Sequence, residues 1–322
     1  MSGRVVTTFT PLRVPFAGGL TDLKEYAERF GGVTVSATID RGAVVTAAPA
    51  AGPWRVEWGG RTQEAWRLED LDVDLVRESV LQVGYDGPPL TVTVSLDAAD
   101  HGGLGASGAV TVGVVHALRA LMGRSVTVEE VAADAAHVEV ERLGGASGYH
   151  DPHVCARGGL LHVTYRGADV AARRLEPPAG FLERFERSLL FFETGRAAST
   201  KASLRRLADG IAGALEVLHE IKALGEATAA AFERGDLPAV AHAIGEQQRL
   251  KQRLPGAFVD GFVEAVGAAV AALGASVQFP GGKIGAYAVV CCPDGQQEAV
   301  RAALPGLREV RFRLADGGTR LV

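Results

Sequence analysis

Residues 100–109 read DHGGLGASGA, and an apolar, helix-like run begins at Val110. Four glycines in these ten residues let the backbone turn sharply and bring several N–H groups close together. A helix that begins near Ser107 would direct its unpaired amide groups and the positive end of its dipole into the turn. The segment therefore predicts a phosphate-binding loop, with the Ser107 hydroxyl available to the phosphate or its metal. Taken alone, it predicts an unliganded strand-to-helix turn equally well.

Composition restricts the class of protein. The chain has 322 residues, 47% of them hydrophobic, which is enough for a large core in one or two domains. A formal net charge of −5 at pH 7 argues against nucleic acid as the main partner. Cys155, Cys291 and Cys292 indicate a reducing compartment rather than a disulfide framework. No apolar run reaches the roughly 18 residues of a membrane span, and residues 1–10 lack the apolar core of a signal peptide. We therefore expect a cytoplasmic protein with neither nucleic acid nor membrane as partner.

The pattern of apolar residues predicts strands and helices in a mixed α/β order. Strands are expected over 5–14, over 90–96, and as a hairpin over 33–48 that turns at residues 40–42. Helices are expected over 23–30, 72–82, 110–122 and 127–143. Residues 147–153 read as a polar turn, and Pro177-Pro178 as a domain boundary. Beyond it, strands near 188–192, 277–279 and 286–292 enclose a long helical region.

Two further glycine-rich turns, at 16–22 and 280–285, accompany the first. None of them is a P-loop, because no lysine followed by serine or threonine comes after the glycines. None has the strand–helix setting of a dinucleotide-binding fingerprint either. Each turn taken alone is weak evidence, because 41 glycines in the chain make chance clusters likely.

In their order and separation the three turns resemble the three motifs of the GHMP kinase superfamily, which includes galactokinase, homoserine kinase, mevalonate kinase and sugar-phosphate kinases. Residues 103–107 (GLGAS) are similar to the superfamily's Gly-Leu-Gly-Ser-Ser phosphate loop. Residues 10–22 (TPLRVPFAGGLTD), continued to Asp40, most resemble the D-glycero-D-manno-heptose 7-phosphate kinases, as do residues 139–160 and 192–196. The resemblance covers nearly the whole chain.

This resemblance implies an α/β (α+β) fold of two domains with the active site in the cleft between them. Residues 1–175 would form the N-terminal domain, of the ribosomal-protein-S5-domain-2-like type, and would supply the substrate segment and the phosphate loop. Residues 181–322 would form a ferredoxin-like C-terminal domain.

The resemblance also implies how the reaction would be catalysed. Asp151 matches the aspartate that activates the acceptor hydroxyl, and Arg13 an arginine beside it that would hold it ionised and neutralise the transferring group. Ser107 and Glu139 match the magnesium ligands, with Glu141 as the alternative to Glu139. ATP and Mg²⁺ are the implied cofactors. The ATP phosphates would be bound by Gly102, Gly103, Leu104, Gly105, Ala106, Ser107 and Gly108.

A sugar or sugar phosphate is the implied acceptor. Asp22 matches the aspartate that binds sugar hydroxyls, and Gly19, Thr21 and His150 are expected beside it. For a phosphate already on the acceptor, Arg196 and Lys201 are the first candidates because they occupy a polar loop between a strand and a helix. Lys24 and Arg157 are weaker candidates, and for each of the four cations a solvated surface position is the simpler interpretation.

Two segments depart from the family pattern. Residues 279–286 (FPGGKIGA) interrupt a glycine run with Pro280 and Lys283, and residues 149–153 (YHDPH) replace a Lys-Gln-Asp-Gln run of the heptose kinases. Three functions therefore stay open: a heptose 7-phosphate 1-kinase, a kinase for another polyol such as a cyclitol phosphate, and a catalytically silent sugar- or nucleotide-binding protein. Hydrogen bonding in a loop is favoured over a metal site for His150 and His153. A homodimer is also left open.

Overall fold

The computed structural model describes residues 4–97, 102–144, 147–196, 200–255, 258–281 and 286–322. The first half of the chain is made of these elements in order: β1 (Val6–Ala17), α1 (Lys24–Phe30), β2 (Gly32–Pro49), β3 (Trp54–Trp58), β4 (Arg61–Ala65), α2 (Asp74–Val83), β5 (Leu90–Leu96), α3 (Ala106–Leu121), α4 (Val128–His137), a π-helical turn (Val138–Arg142), α5 (His150–Arg157), β6 (Leu160–Arg166) and β7 (Asp169–Arg174). The second half continues with α6 (Phe181–Ser188), β8 (Leu189–Glu193), α7 (Thr200–Asp209), α8 (Leu215–Arg234), α9 (Leu237–Gln252), α10 (Gly261–Ala271), β9 (Ser276–Gln278), β10 (Tyr287–Cys291), α11 (Gln297–Ala303), β11 (Arg308–Val310), β12 (Leu314–Ala315) and β13 (Arg320–Leu321). Short 3₁₀ turns lie at Leu68–Asp70 and Ile211–Ala214.

The first sheet is built around β2. Its described strands follow the order β13-β1-β2-β5-β3-β4, β12 and β6 also pair with β2, and β7 extends the sheet from β6. Its strands pair antiparallel, apart from the parallel pair of β3 and β5. The predicted turn at residues 40–42 is wrong, because β2 continues through it. Residues 32–37 pair with β6 and residues 43–49 with β5, so both halves belong to one sheet.

Helix α3 follows the glycine-rich segment and lies in the middle of the core. Its apolar side chains, among them Val110, Val114 and Leu118, are almost completely buried against β1 and β2. Burying a side chain of this size stabilises a fold by about 1.5–3 kcal/mol. A Cβ at Gly113 would lie 2.8 Å from Val45 Cγ2, so the glycine lets the helix pack closely on the sheet. The start of α3 is thereby fixed relative to β1.

The second sheet has four antiparallel strands in the order β11-β8-β10-β9. Helices α7 to α10 connect β8 to β9, and α11 connects β10 to β11. This is the β-α-β-β-α-β arrangement of a ferredoxin-like fold, so the predicted fold class is confirmed. Helices α8 and α9 pack on each other and reach β1 of the first sheet. The chain then returns to that sheet through β12 and β13; the predicted domain boundary stays a prediction.

Two local predictions around the site are corrected. The predicted helix 127–143 is a capped α-helix that begins at Val128, with a capping box between Thr127 and Glu130, and passes into the π-helical turn after His137. Residues 147–153 are not a turn throughout, since α5 begins at His150. The sequence allows this helix because Pro152 falls in its first turn, where no backbone N–H is required.

Within the part of the chain that the structure describes, no helix is long and apolar enough to cross a membrane.

Candidate active site

One cleft collects residues from all three glycine-rich segments. It has a volume of about 490 Å³. The polar and charged side chains among its lining residues are Arg13, Asp22, Ser107, Glu139, Ser147, His150, Asp151, Gln247, Lys251 and Gln278. The described glycines among them are Gly19, Gly102, Gly103, Gly105, Gly148 and Gly281.

The segment 102–106 turns sharply into the beginning of α3. Gly102, Gly103 and Gly105 all have positive φ (80°, 101° and 76°), which L side chains rarely adopt. A Cβ at Gly103 would lie 2.8 Å from the Pro280 carbonyl oxygen, and one at Gly105 would lie 3.1 Å from Arg13 Cγ. Gly105 caps α3, so the unpaired N–H groups of the first helical turn lie at the cleft. Asp100 and His101 lie outside the described residues.

Arg13 and Asp151 form an ion pair at this loop. Arg13 Nε and Nη2 donate to Asp151 Oδ1 over 2.8 and 2.6 Å, and Arg13 Nη1 donates to the Gly103 carbonyl over 2.6 Å. Arg13 is 6% exposed, whereas the side chain of Asp151 is 30% exposed and faces the cleft. Burial raises the pKa of Asp151, but the charge of Arg13 and the hydrogen bond from His150 outweigh it and hold that pKa well below its usual range.

His150 connects Asp151 to the sheet. Its Nδ1 lies 3.1 Å from Asp151 Oδ1, and its Nε2 lies 2.6 Å from Ser36 Oγ on β2. Asp151 Oδ1 therefore has three contacts, whereas no hydrogen-bond partner of Oδ2 is found among the described residues. Oδ2 is the oxygen that a bound hydroxyl could reach.

Asp22 lies next to this pair, at the N-terminus of α5. Its Oδ2 accepts the His150 N–H over 3.2 Å, and its Oδ1 accepts the Leu20 N–H over 3.1 Å. Gly148 makes this possible, because a Cβ there would lie 1.8 Å from Asp22 Oδ2. Gly19 also lines the cleft, but Thr21 is buried and bonds Gly18 and Val33 instead. Thr21 therefore shapes the turn that presents Asp22.

Ser107 and Glu139 meet at the other side of the loop. Ser107 Oγ donates to Glu139 Oε1 over 2.5 Å, and Thr111 Oγ1 donates to the same oxygen over 2.6 Å. Glu139 lies in the π-helical turn and is 5% exposed. Glu141 lies elsewhere, since it pairs with Lys24 over 2.6 Å. The structure therefore brings Ser107 together with Glu139 and not with the alternative Glu141.

Three of the four cations proposed from sequence for an acceptor phosphate have described side chains, and none of these three lines the cleft. Lys24 pairs with Glu141, Arg157 bonds His153 over 2.7 Å, and Arg196 pairs with Asp260 over 2.6 Å. The side chain of Lys201 lies outside the described part of the chain, as do residues 282–285 of the third glycine segment. His153 is held by Arg157, and no group of three or more metal-binding side chains occurs among the described residues. A metal site at His150 and His153 has no support from the geometry.

Sequence reasoning missed three cleft residues, Gln247, Lys251 and Gln278. Gln247 accepts the Gly18 N–H over 2.8 Å, and Gln278 donates to the Pro15 carbonyl over 2.5 Å. Lys251 donates to the carbonyls of Phe279 and Gly281 over 2.7 and 2.9 Å. All three are at least 95% buried. Gln247 and Lys251 lie on a long helix and Gln278 ends a short strand, and polar residues at such positions are usually solvated, so the sequence carried no signal for them.

Comparison with known proteins defines the class. Residues 73–159, which hold the phosphate loop, Ser107, Glu139 and Asp151, match the family model described as GHMP kinases N terminal domain. This region of the chain therefore matches a GHMP kinase N-terminal domain, and the predicted enzyme class, a phosphotransferase, is confirmed.

Individual relatives share the architecture at low identity. The chain is 24% identical over 267 residues to D-glycero-alpha-D-manno-heptose 7-phosphate kinase of Campylobacter jejuni, covering 77% of this chain and 78% of the relative. It superposes with a TM-score of 0.80 on a D-glycero-D-manno-heptose 1-phosphate kinase from Bacteroides thetaiotaomicron, at 21% identity over 98% of both chains. The TM-score is 0.77 with Streptococcus pneumoniae phosphomevalonate kinase bound to phosphomevalonate and AMPPNP, at 16% identity over 97% of this chain and 99% of the other. At these identities the structural likeness shows the fold.

Proposed function

We propose that the protein is an ATP- and Mg²⁺-dependent kinase that phosphorylates a hydroxyl group of a sugar or sugar phosphate. The observation that carries the proposal is the position of Asp151, whose carboxylate borders the cleft between the Asp22 segment and the N-terminus of α3. The contact of Arg13 with both Asp151 and the Gly103 carbonyl joins the base to the phosphate loop.

Asp151 is the proposed acceptor of the hydroxyl proton. An acceptor O–H would donate to Oδ2, because Oδ1 already has contacts with Arg13 and His150. As the new O–P bond forms and the bond from the γ-phosphorus to its bridging oxygen breaks, the proton passes to Asp151 and ADP leaves. A carboxylate with a depressed pKa is a weak base, so its main contribution is to orient the hydroxyl and to take the proton late in a loose transition state.

Arg13 is proposed to neutralise charge at the reacting centre. Its guanidinium is fixed by hydrogen bonds to Asp151 and Gly103 and is 6% exposed, so it does not reorganise when charge develops beside it. A fixed, desolvated cation stabilises a transferring phosphoryl group more than a solvated one does.

The residues at the start of α3 fit a magnesium nucleotide. The glycines of positive φ let the loop lie directly against Pro280 and Arg13, where a Cβ at Gly103 or Gly105 would crowd these residues, and the N–H groups of the first turn of α3 border the cleft. Ser107 and Glu139 offer the hard oxygen ligands that Mg²⁺ prefers, and it takes few of them from the protein when phosphate oxygens complete its shell. When bound, ATP supplies the phosphoryl group and Mg²⁺ the charge that holds its phosphates.

A heptose 7-phosphate, phosphorylated at its anomeric oxygen, is the first acceptor to test. Its support is the segment that presents Asp22, together with the similarity to the Campylobacter heptose 7-phosphate kinase. The Bacteroides protein is described instead as a 1-phosphate kinase, so the names alone do not assign the hydroxyl.

The altered segment 149–153 is the observation that favours another polyol, such as a cyclitol phosphate. Of Tyr149, His150 and His153, however, only His150 lines the cleft. Of these three altered residues, His150 is therefore the one that could contact the acceptor directly. A cytoplasmic location and a homodimer stay predictions.

ADP release tests the function. Purified protein is supplied with Mg·ATP and, in turn, heptose 7-phosphates, free hexoses and cyclitol phosphates. Turnover with a heptose 7-phosphate above the other acceptors supports the lead function. Turnover with a cyclitol phosphate assigns the alternative, and nucleotide binding without turnover on any acceptor would favour a silent binding protein.

A further inference from the structure

Helix α9 directs a row of buried polar side chains at the glycine segments of the cleft. Gln247 bonds the N–H of Gly18 and the carbonyl of Gly19, and Lys251, one turn later, bonds the carbonyls of Phe279 and Gly281. The helix therefore holds the first segment and the beginning of the third segment in one relative position. Lys251 occupies the point where the third segment approaches Gly103.

Among the described residues, Lys251 has no carboxylate partner of the kind that a buried lysine usually has. It is 5% exposed and lines the cleft, and it lies over the Phe258 ring at 5.6 Å. Within the described residues no carboxylate lies within 4.0 Å of its Nζ. An ammonium group carries three N–H donors, and the two backbone carbonyls accept two of them. One donor and the positive charge remain for a ligand.

We propose that Lys251 binds a phosphate group of a substrate and takes up a proton as that phosphate enters the cleft. The proposal rests on the proposed function, because the phosphates available to this cleft are those of the nucleotide and of a phosphorylated acceptor. Lys251 lies close to the phosphate loop, because it bonds Gly281, and close to the acceptor segment, because Gln247 is one turn away on α9. A phosphate group of either ligand could therefore bind to it.

The electrostatic environment supports this coupling. Burial and the charge of Arg13 lower the pKa of Lys251 to about 7. The other charged or titratable side chains that line the cleft are Asp22, Glu139, His150 and Asp151. An incoming phosphate dianion adds negative charge beside the amine and therefore raises its pKa, so phosphate binding and protonation of Lys251 reinforce each other. A lysine that only clamped two carbonyls would take up no proton on ligand binding.

Calorimetry in buffers of different ionisation enthalpy measures the protons taken up on binding. At about pH 8, one unit above the Lys251 pKa, we expect uptake of roughly one proton for a phosphate that reaches Lys251. Mg·AMPPNP tests the nucleotide as the source, and a heptose or hexose phosphate tests the acceptor. Uptake with one of them assigns the source, and a free hexose serves as the ligand without phosphate.

Three variants distinguish proton uptake by Lys251 from proton uptake by other titratable groups. Lys251→Met should abolish the proton uptake and weaken binding of that phosphate ligand by about ten- to a hundred-fold. Lys251→Arg keeps a permanent charge, so it should abolish the uptake and retain most of the affinity. Lys222→Met removes a lysine that bonds the Phe30 carbonyl away from the cleft, and it should leave both unchanged.

The proposal is overturned if the wild-type protein binds these ligands without taking up protons, or if Lys251→Arg takes up as many as the wild type. These outcomes stay measurable if Lys251→Met fails to fold. ADP release by the wild-type protein tests the kinase reaction separately, and calorimetry requires no turnover. A failure of one can therefore be told from a failure of the other.

Discussion

Arg13 donates from two nitrogens to a single oxygen of Asp151, Oδ1, and leaves Oδ2 at the cleft. A fork-to-fork pair would occupy both carboxylate oxygens and block access to the base. The side-on arrangement keeps Asp151 ionised and still leaves one oxygen for a hydroxyl. The third nitrogen of Arg13 bonds the Gly103 carbonyl, so the base and the phosphate loop share one anchor.

Asp151→Asn should remove the base without disturbing the phosphate loop. The amide oxygen can still accept from Arg13, whereas the group at the position of Oδ2 no longer takes a proton. We expect turnover to fall by about 10²–10⁴-fold with the nucleotide affinity unchanged. Single-turnover ADP formation and nucleotide titration measure the two quantities. Near-normal rates in this variant would remove Asp151 from the mechanism.

The Arg13–Asp151 pair also predicts a pH effect. The pKa of Asp151 is depressed in the folded protein, so the carboxylate stays ionised, and its ion pair stays formed, until the pH falls through that low value. In Arg13→Met the burial of Asp151 is no longer opposed by that charge, so its pKa rises. We expect kcat/KM of the wild type to show no loss from Asp151 between about pH 5 and 7. The variant should be slower by about 10²–10³-fold. As the pH is lowered, its activity should begin to fall at a higher pH than that of the wild type.

A pH–rate profile of both proteins makes the comparison. Arg157→Met is a suitable control, since it removes an arginine bonded to His153 outside the cleft. If the rates of Arg13→Met and the wild type fall at the same acidic pH, Arg13 does not hold Asp151 ionised.

Glu139 and Glu141 provide a matched pair for the metal site. Glu139→Gln removes the carboxylate that accepts from Ser107, so we expect the Mg²⁺ concentration for half-maximal rate to rise by about tenfold or more. Glu141→Gln alters the exposed pair with Lys24 and a 3.4 Å hydrogen bond from the Tyr149 hydroxyl, neither of which lies at the cleft, and should change this concentration little. Mg²⁺ titrations at fixed ATP test both variants. Equal effects of the two would mean that Glu139 is not a metal ligand.

The sequence predicted those parts of the site that local backbone chemistry encodes. Glycines at 102, 103 and 105 are needed where φ is positive, and that requirement is visible as a motif. Glu139 was preferred over Glu141 by resemblance alone. The π-helical turn places Glu139 beside Ser107, and no pattern of residues in the sequence predicted that turn.

The elements that were mispredicted depend on partners distant in sequence. Residues 40–42 read as a turn, but β2 continues because β5 and β6 pair with its two halves. Residues 147–153 read as a loop, although Asp22 accepts the N–H of His150, 128 residues away in sequence, where α5 begins. Lys251 was missed for the same reason, since its contacts with Phe258, Phe279 and Gly281 are made to residues beyond the end of α9.

Gly148→Ala should separate the geometry of Asp22 from its chemistry. The added Cβ would overlap Asp22 Oδ2, which lies 1.8 Å from its ideal position, so the carboxylate must move away from the His150 N–H. Overpacking of this kind costs about 1–3 kcal/mol of folding free energy. Because Asp22 is the proposed ligand of sugar hydroxyls, the KM for the acceptor should rise while that for the nucleotide stays constant. The control is Gly267→Ala on α10, where a Cβ meets nothing within 4 Å and should slightly stabilise the helix. A rise in the KM for the nucleotide instead of the acceptor would place Asp22 on the donor side of the cleft.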